Sequence, residues 1–318
     1  MSARPRLALT LGDPRGIGPE IVAAALADPA LRAAGEFVLV GPRGAPALPE
    51  VDVAVGDWTP GGDAAAAGRL AGAAVEAAAR LALSGEVDGI VTAPLDKAAL
   101  LAGGHDFPGH TEMLARLTGA DVAMMLAAEG SPADGVHPLR VVLATTHLAL
   151  RDVPDAVTPE AIGRAARVTR DGLRRWFGIA EPRIALCALN PHAGDGGRFG
   201  REDDEVLAPA ARACGLLGPF PADTVFVRAL RGAFDAVVAP YHDVGMTAIK
   251  VAAFGHAVNV TLGLPFPRTS PDHGTALDIA GRGLADPASF IAAARLCAVI
   301  ANRVATTRPA SRTPARAT

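Results

Sequence analysis

The most constraining feature of this 318-residue chain is an alternation of short apolar, β-branched runs with longer alanine-rich stretches of helical periodicity. That alternation is the signature of βαβ units and commits the chain to an α/β fold on a sheet with parallel strands. The predicted strands are 6–11, 36–40, 89–92, 122–126, 140–145, 183–189, 233–239 and 257–262. Pro19, Thr158-Pro159-Glu160 and Asp286-Pro287 mark helix starts, and Gly178 after Trp176-Phe177 marks a stop. Segment 41–62, rich in Gly and Pro, reads mostly as connecting loop. The Pro-, Arg- and Thr-rich tail from Thr306 has no apolar face and reads as disordered. No repeat of fixed period is present.

Six of the apolar runs are followed at once by compact polar motifs: GDPRGIGPE, TAPLDK, TTHLALRD, NPHAGDGG, PYHDVGMTAIK and GLPFPRTSPDHGTA. In open parallel sheets ligands bind beyond the carboxyl ends of the strands, so six such edges predict one composite cleft. Ordinary turn chemistry also gathers Gly, Pro, Asp and Asn at such places. It does not explain why histidine recurs there.

Charge and cysteine usage exclude several function classes. With 30 Lys+Arg against 33 Asp+Glu, a formal net charge of −3 supplies no basic field for a nucleic-acid backbone. Cys187, Cys214 and Cys297 are far apart and too few for a disulfide framework, which points to a reducing, cytoplasmic compartment. The N-terminal stretch reaches turn residues after a few apolar positions, and no later stretch is apolar for about 18 uninterrupted residues, so neither a signal peptide nor a membrane span is expected.

His147, His192 and His242 each lie within a few residues of a predicted strand end. Three neutral imidazoles meeting at one point would make a catalytic-type metal site that favours Zn²⁺ over the oxygen-seeking Mg²⁺. Their spacing matches no local ligand signature, so a structural or acid/base histidine stands beside that reading. Asp243 could orient an imidazole or take part in catalysis. Lys250, Asn259 and Arg268 form a cationic and polar group suited to a phosphate or carboxylate, although both cations could be plain surface charges, the default reading for Arg268 in so arginine-rich a chain. His110-Thr111 open a helical stretch where amide groups favour anions, although Thr111 could simply cap the helix. Lysine occurs only at Lys97 and Lys250 in an arginine-rich chain, which suggests that the compact ammonium is needed where it is kept.

Neither GxGxxG in a Rossmann context nor GxxxxGK is present. GDPRGIGPE places Gly16 and Gly18 in a tight strand-to-helix turn, and SPDHGTALDIAGRG is a loop of small residues able to close on an adenosine. Neither specifies a dinucleotide by itself. No GxSxG occurs, and no cysteine has an electropositive local context.

Taken together, LTLGDPRGIGPEI, VTAPLDK, FPGHTEML, ATTHLALRDV, FGIAEPRIALCALNPHAGDGGRFG, PADTVF, YHDVGMTAIK and VNVTLGLPFPRTSPDHGTALDIAGRG closely resemble the 4-hydroxythreonine-4-phosphate dehydrogenase (PdxA) family of vitamin B6 biosynthesis, from about Leu7 to Arg303. The resemblance implies an isocitrate/isopropylmalate dehydrogenase-like fold: two α/β subdomains with a central cleft, one from 1–112 plus 256–305 and one from 113–255. It also implies a homodimer whose active site draws on both subunits. A divalent metal, Zn²⁺ with Mg²⁺, Co²⁺ or Mn²⁺ as alternatives, would be held by His147, His192 and His242, the last lent by the partner chain. Substrate contacts fall on His110, Thr111, Lys250, Asn259 and Arg268, and NAD or NADP contacts on Gly274, Thr275, Ala276 and Asp278. Asp243 and Lys250 are the candidates for taking the hydroxyl proton. The segment between Gly41 and Ala65 is shorter than the family pattern, and Arg15 replaces a commoner Ala.

The implied reaction oxidises the C3 hydroxyl of 4-phosphooxy-L-threonine and releases carbon dioxide, giving 3-amino-2-oxopropyl phosphate on the way to pyridoxal 5'-phosphate. Two alternatives remain at this point. One is a relative oxidising another acid, such as 4-phospho-D-threonate, 4-phosphoerythronate or an aromatic cis-dihydrodiol carboxylate. The other is a metal-dependent lyase or hydrolase without NAD. A non-enzymatic binding module has little need for three strand-end histidines beside a Lys/Arg pair.

Overall fold

A computed structural model describes residues 4–131, 135–253 and 257–307. The chain opens with β1 (Arg6–Thr10), α1 (Gly18–Ala27), α2 (Pro29–Ala34), β2 (Glu36–Arg43), β3 (Val53–Asp57), α3 (Ala64–Ser84), β4 (Gly89–Thr92), α4 (Lys97–Ala102) and α5 (His110–Thr118). It continues through β5 (Ala123–Ala128), β6 (Leu139–Leu143), α6 (Val153–Ala156), α7 (Pro159–Phe177), β7 (Ile184–Cys187), α8 (Ala208–Cys214), β8 (Leu217–Phe220) and α9 (Ala222–Leu230). The last elements are β9 (Ala236–Ala239), α10 (His242–Ala252), β10 (Val258–Leu262), β11 (Arg268–Pro271) and α11 (Ala288–Thr307). The strands form one mixed sheet in the order β3-β2-β1-β4-β11-β10-β5-β6-β9-β7-β8, flanked by helices, an α/β architecture as expected.

Local chemistry accounts for many of these boundaries. Asp63 caps α3 by accepting from the Ala66 amide at 2.8 Å, and Gly85 ends that helix with φ +80°. Thr158 caps α7 through the Ala161 amide, and Gly178 closes it with φ +71°, as its sequence position predicts. Leu7 and Leu9 of β1 and all of β4 are fully buried or nearly so, the pattern of strands covered on both faces. α11 is long and apolar enough by composition to cross a membrane, yet Phe290, Ala293, Ala294, Cys297 and Ile300 are completely buried in the core, with Cys297 Sγ 3.6 Å from the Ile90 carbonyl. It is a core helix.

Several expectations are corrected. The segment read as loop over 41–62 contains the end of β2 and all of β3. β8 and β11 also went unpredicted. Thr306 and Thr307 belong to α11, and the remainder of the predicted disordered tail, 308–318, lies outside the described residues, as does the boundary at 255/256.

The strands do not share one carboxyl edge either. β11, β10, β5 and β6 are joined by antiparallel pairings. β1, β2, β3, β4, β11 and β5 therefore run one way, and β6 to β10 the other. The motifs after β1 and β4 leave from ends opposed to those after β6, β7, β9 and β10. A cleft fed by both sets has to lie across the sheet face where direction reverses.

Candidate active site

A cavity of about 250 Å³ opens over that reversal. Its walls include Thr92 at the end of β4, Lys97 at the start of α4, His110 and Thr111 at the start of α5, Met124 on β5, and Thr146 and His147 after β6. Asn259 of β10 and Arg268 of β11 complete it, together with the loop residues Asp272, His273 and Gly274.

Arg268 is 2% exposed and makes no ion pair among the described residues. Its Nη1 donates to Thr261 Oγ1 at 2.9 Å and its Nη2 to Thr92 Oγ1, while Nε is shielded and unpartnered. Burial pushes its pKa down to about 10, a shift that the Glu112 carboxylate opposes. A guanidinium out of water with only hydroxyl partners is costly, and an anion in the cavity relieves that cost.

Three further shielded polar atoms lack partners in the same place: His110 Nε2, Asn259 Oδ1 and His273 Nε2. Burial, followed by the fields of Arg268 and Lys97, holds His110 well below the ordinary imidazole value, so the ring is neutral. Asn259 stands opposite Ser270 in the β10–β11 ladder, and its amide nitrogen has only a weak contact with Met124 Sδ at 3.8 Å. The structure thus gathers His110, Thr111, Asn259 and Arg268 on one cavity. Lys250 does not line it. That ammonium is half-exposed on α10 and reaches the cavity only through Asp272, 3.9 Å away.

The histidines divide two to one. The rings of His147 and His242 have centroids 5.2 Å apart and are tilted by 43°. They share a second cavity of about 370 Å³ with Thr146, Tyr241 and Asp243. Burial, then Lys97 and His242, lowers the His147 pKa, and His242 Nδ1 is shielded without a partner.

His192 lines neither cavity. It sits on a turn with left-handed backbone at His192 (φ +55°), Ala193 (φ +56°) and Asp195 (φ +46°), its ring 6.4 Å from that of Phe199. Fully buried Asp203 fixes the start of this turn by accepting from the Leu189 and Asn190 amides at 2.8 and 2.9 Å. Among the described residues of a single chain, no three His, Cys, Asp or Glu side chains are grouped closely enough to hold a metal ion. The resemblance implies that His242 is lent by a partner chain, and one chain already sets it beside His147. Two adjacent imidazoles, one of them favoured as neutral, are donors of the right chemistry for a divalent transition metal that needs at least one more ligand.

The two glycine-bearing loops touch. Ile17 donates its amide to the Thr275 carbonyl at 2.9 Å, and a Cβ on Gly16 would lie 2.7 Å from that same oxygen. Ala276 is left-handed at φ +43°, and Gly274 has open space around it. Arg15, Gly16, Glu20, Trp58, Ala280 and Gly281 line an adjoining cavity of about 540 Å³. Arg15 is not free for a ligand, because its Nε and Nη2 clasp the buried Asp13 carboxylate at 3.0 and 2.6 Å. Cys187 and Cys297 are buried thiols pushed up to about 12 chiefly by desolvation, which leaves them inert as nucleophiles.

Sequence reasoning gave no site role to Thr92 and Thr261, which hold Arg268, nor to Glu112, Asp272, His273 and Lys97 on the walls. Only Lys97 carried a signal, its rarity in the composition.

Comparison with known proteins agrees with this architecture. A family model described as pyridoxal phosphate biosynthetic protein PdxA matches residues 26–297. A 4-hydroxythreonine-4-phosphate dehydrogenase of Stenotrophomonas maltophilia (strain K279a) is 44% identical over 94% of this chain and 98% of its own length. The crystal structure of the Klebsiella pneumoniae 4-hydroxythreonine-4-phosphate dehydrogenase superposes with a TM-score of 0.79 at 40% identity, covering 93% of this chain and 99% of that one. A terephthalate 1,2-cis-dihydrodiol dehydrogenase of Burkholderia xenovorans superposes with a TM-score of 0.63 at 33% identity, covering 93% and 98%. By sequence over most of its length and by fold, this chain belongs to the PdxA family.

Proposed function

We propose that the protein is a dehydrogenase of pyridoxal 5'-phosphate biosynthesis that oxidises the secondary alcohol of 4-phosphooxy-L-threonine with NAD or NADP, the product losing carbon dioxide to give 3-amino-2-oxopropyl phosphate. One observation carries this reading: a fully buried arginine without a carboxylate partner faces a small cavity beside shielded, unpartnered atoms of His110 and Asn259. Such a site is incomplete without an anion. The names of the Stenotrophomonas and Klebsiella relatives supply a phosphorylated hydroxy amino acid as that anion.

Arg268, His110, Thr111 and Asn259 would bind the anionic groups and fix the pose of the alcohol carbon. Gly274, Thr275, Ala276 and Asp278 would receive the dinucleotide, small residues there allowing its backbone-level approach. His147 and His242, completed by His192, would hold a divalent cation, Zn²⁺ by ligand type, at a site that the resemblance makes shared between the two subunits of a homodimer. When bound, the nicotinamide accepts hydride and the cation acidifies the alcohol. Asp243, beside His242, and Lys250, in its neutral amine form, would be the candidates for taking the hydroxyl proton. Three free thiols suit a cytoplasmic setting.

The experiment is direct. Purified protein is supplied with NAD⁺ or NADP⁺ and a panel of 4-phosphooxy-L-threonine, 4-phospho-D-threonate and an aromatic cis-dihydrodiol carboxylate, with reduced cofactor followed by absorbance. Preferred turnover of the first substrate is expected. Preference for either of the others reassigns the substrate, and cofactor-independent consumption removes the dehydrogenase reading.

A further inference from the structure

We propose that Lys97, at the start of α4, is a substrate-contacting residue that supplies the second fixed positive charge of the principal cavity and engages the phosphoryl group together with Arg268. The inference rests on the reading of that cavity as a phosphorylated-substrate site.

Four independent observations converge on this residue. Lys97 lines the cavity, and it makes no hydrogen bond or ion pair among the described residues. Lys250, the other lysine, lies close to Asp272 instead. An ammonium left unpartnered at the wall of an anion site is available to a ligand.

Its place on the helix is the second observation. Lys97 is the first residue of α4, with Asp96 as the cap that accepts from the Ala99 amide at 2.7 Å. A cation in the first turn opposes the helix macrodipole, so local stability argues for Asp or Glu there. A residue that works against its own helix marks a functional position.

Third, the charge is felt inside the anion pocket. Lys97 favours the neutral form of His110, which lies on another wall of the same cavity. Fourth, a chain that uses arginine almost everywhere keeps lysine here. A compact point charge with three rotatable donors fits a phosphoryl group crowded by Arg268, where a second planar fork does not.

Lys97 is exposed, so its replacement leaves the core intact. The test uses the full-length protein with Lys97→Met and Lys97→Arg. Inorganic phosphate and acetate binding are measured by calorimetry, and KM and kcat for the phosphorylated substrate are followed as salt is varied. Lys97→Met is expected to raise KM and the phosphate dissociation constant by about tenfold or more, the usual scale for one charge-assisted contact. It should also flatten the salt dependence of KM and leave the melting temperature unchanged or slightly raised. Lys97→Arg is expected to recover only part of the loss.

A Lys97→Met protein that binds phosphate and substrate within about twofold of wild type, a difference small on the affinity scale, overturns the proposal while leaving the cavity assignment standing. Weakened acetate binding with unchanged phosphate binding overturns the phosphoryl assignment. Full recovery by Lys97→Arg overturns the argument from compactness. Wild-type protein that binds no phosphate and does not turn over the phosphorylated substrate removes the cavity reading, and this proposal with it.

Discussion

The imidazoles of His147 and His242, brought from two separate strand ends, stand 5.2 Å apart within one chain. The shielded Nδ1 of His242 finds no protein partner there. A cation bridging the pair and a third imidazole would account for both facts. Replacing His192 with Ala should abolish bound Zn²⁺ and turnover while leaving the melting temperature and NAD affinity near wild type. Elemental analysis of purified protein together with calorimetry checks this, and a His192→Ala protein with full metal content would falsify the three-histidine site.

Arg268 gives an opposite pair of effects on stability and function. Removing a buried charge held only by hydroxyl groups relieves desolvation, so Arg268→Met should match or exceed wild type in melting temperature when no anion is present. The same variant should lose about a hundredfold in kcat/KM, or ~3 kcal/mol of transition-state binding. Phosphate should raise the wild-type melting temperature, since a ligand at a hundred times its Kd adds about 2.7 kcal/mol, and leave the variant unmoved. Thermal melts with and without phosphate distinguish these cases.

His110 and His147 are both held below the ordinary imidazole value of 6.5, by burial first and then by neighbouring cations. Below that pH the unfolded chain binds protons that the folded chain does not. Stability from these rings is therefore complete above about pH 6.5 and is lost as pH falls toward the depressed folded values. The melting temperature should drop on acidification below 6.5, and His110→Asn should shallow the slope. An unchanged slope in that variant assigns the acid sensitivity to other groups.

Gly16 and Gly274 should separate fold from cofactor binding. A methyl group at Gly16 meets the Thr275 carbonyl at 2.7 Å, so Gly16→Ala should cost about 1–3 kcal/mol of stability as well as NAD affinity. Gly274 has nothing within 4 Å of an added Cβ, so Gly274→Ala should fold normally and weaken NAD binding alone. Equal NAD affinity in Gly274→Ala and wild type, measured calorimetrically, would remove that loop from the cofactor site.

The parts of this architecture legible from sequence are those where burial and hydrophobicity coincide. β1 and β4 are apolar runs covered on both faces, and their limits follow from pattern alone. β11 is equally buried, but its four residues are Arg, Thr, Ser and Pro. A strand that carries binding groups instead of core residues does not register in an apolar count. β3 is only half-buried, and β8 contains a Gly-Pro pair, the punctuation that ordinarily denotes a loop.

The site divides in the same way. Individual groups such as Arg268, His110 and Asn259 can be named from motif chemistry, but convergence depends on topology. Which histidines meet follows from strand order, since β6 and β9, distant in sequence, are parallel neighbours in the sheet, and the threonines that brace Arg268 are chemically unremarkable in sequence.

That antiparallel centre has a wider consequence. Segments following β1, β4 and β11 approach the ligand from one flank, and those following β6 and β9 from the other, over a floor common to both. Insertions or substitutions on one flank can then remodel the cavity around Arg268 and His110 without disturbing the flank that carries His147 and His242. A scaffold divided in this manner lends itself to diversification by grafting, with the reactive centre inherited intact.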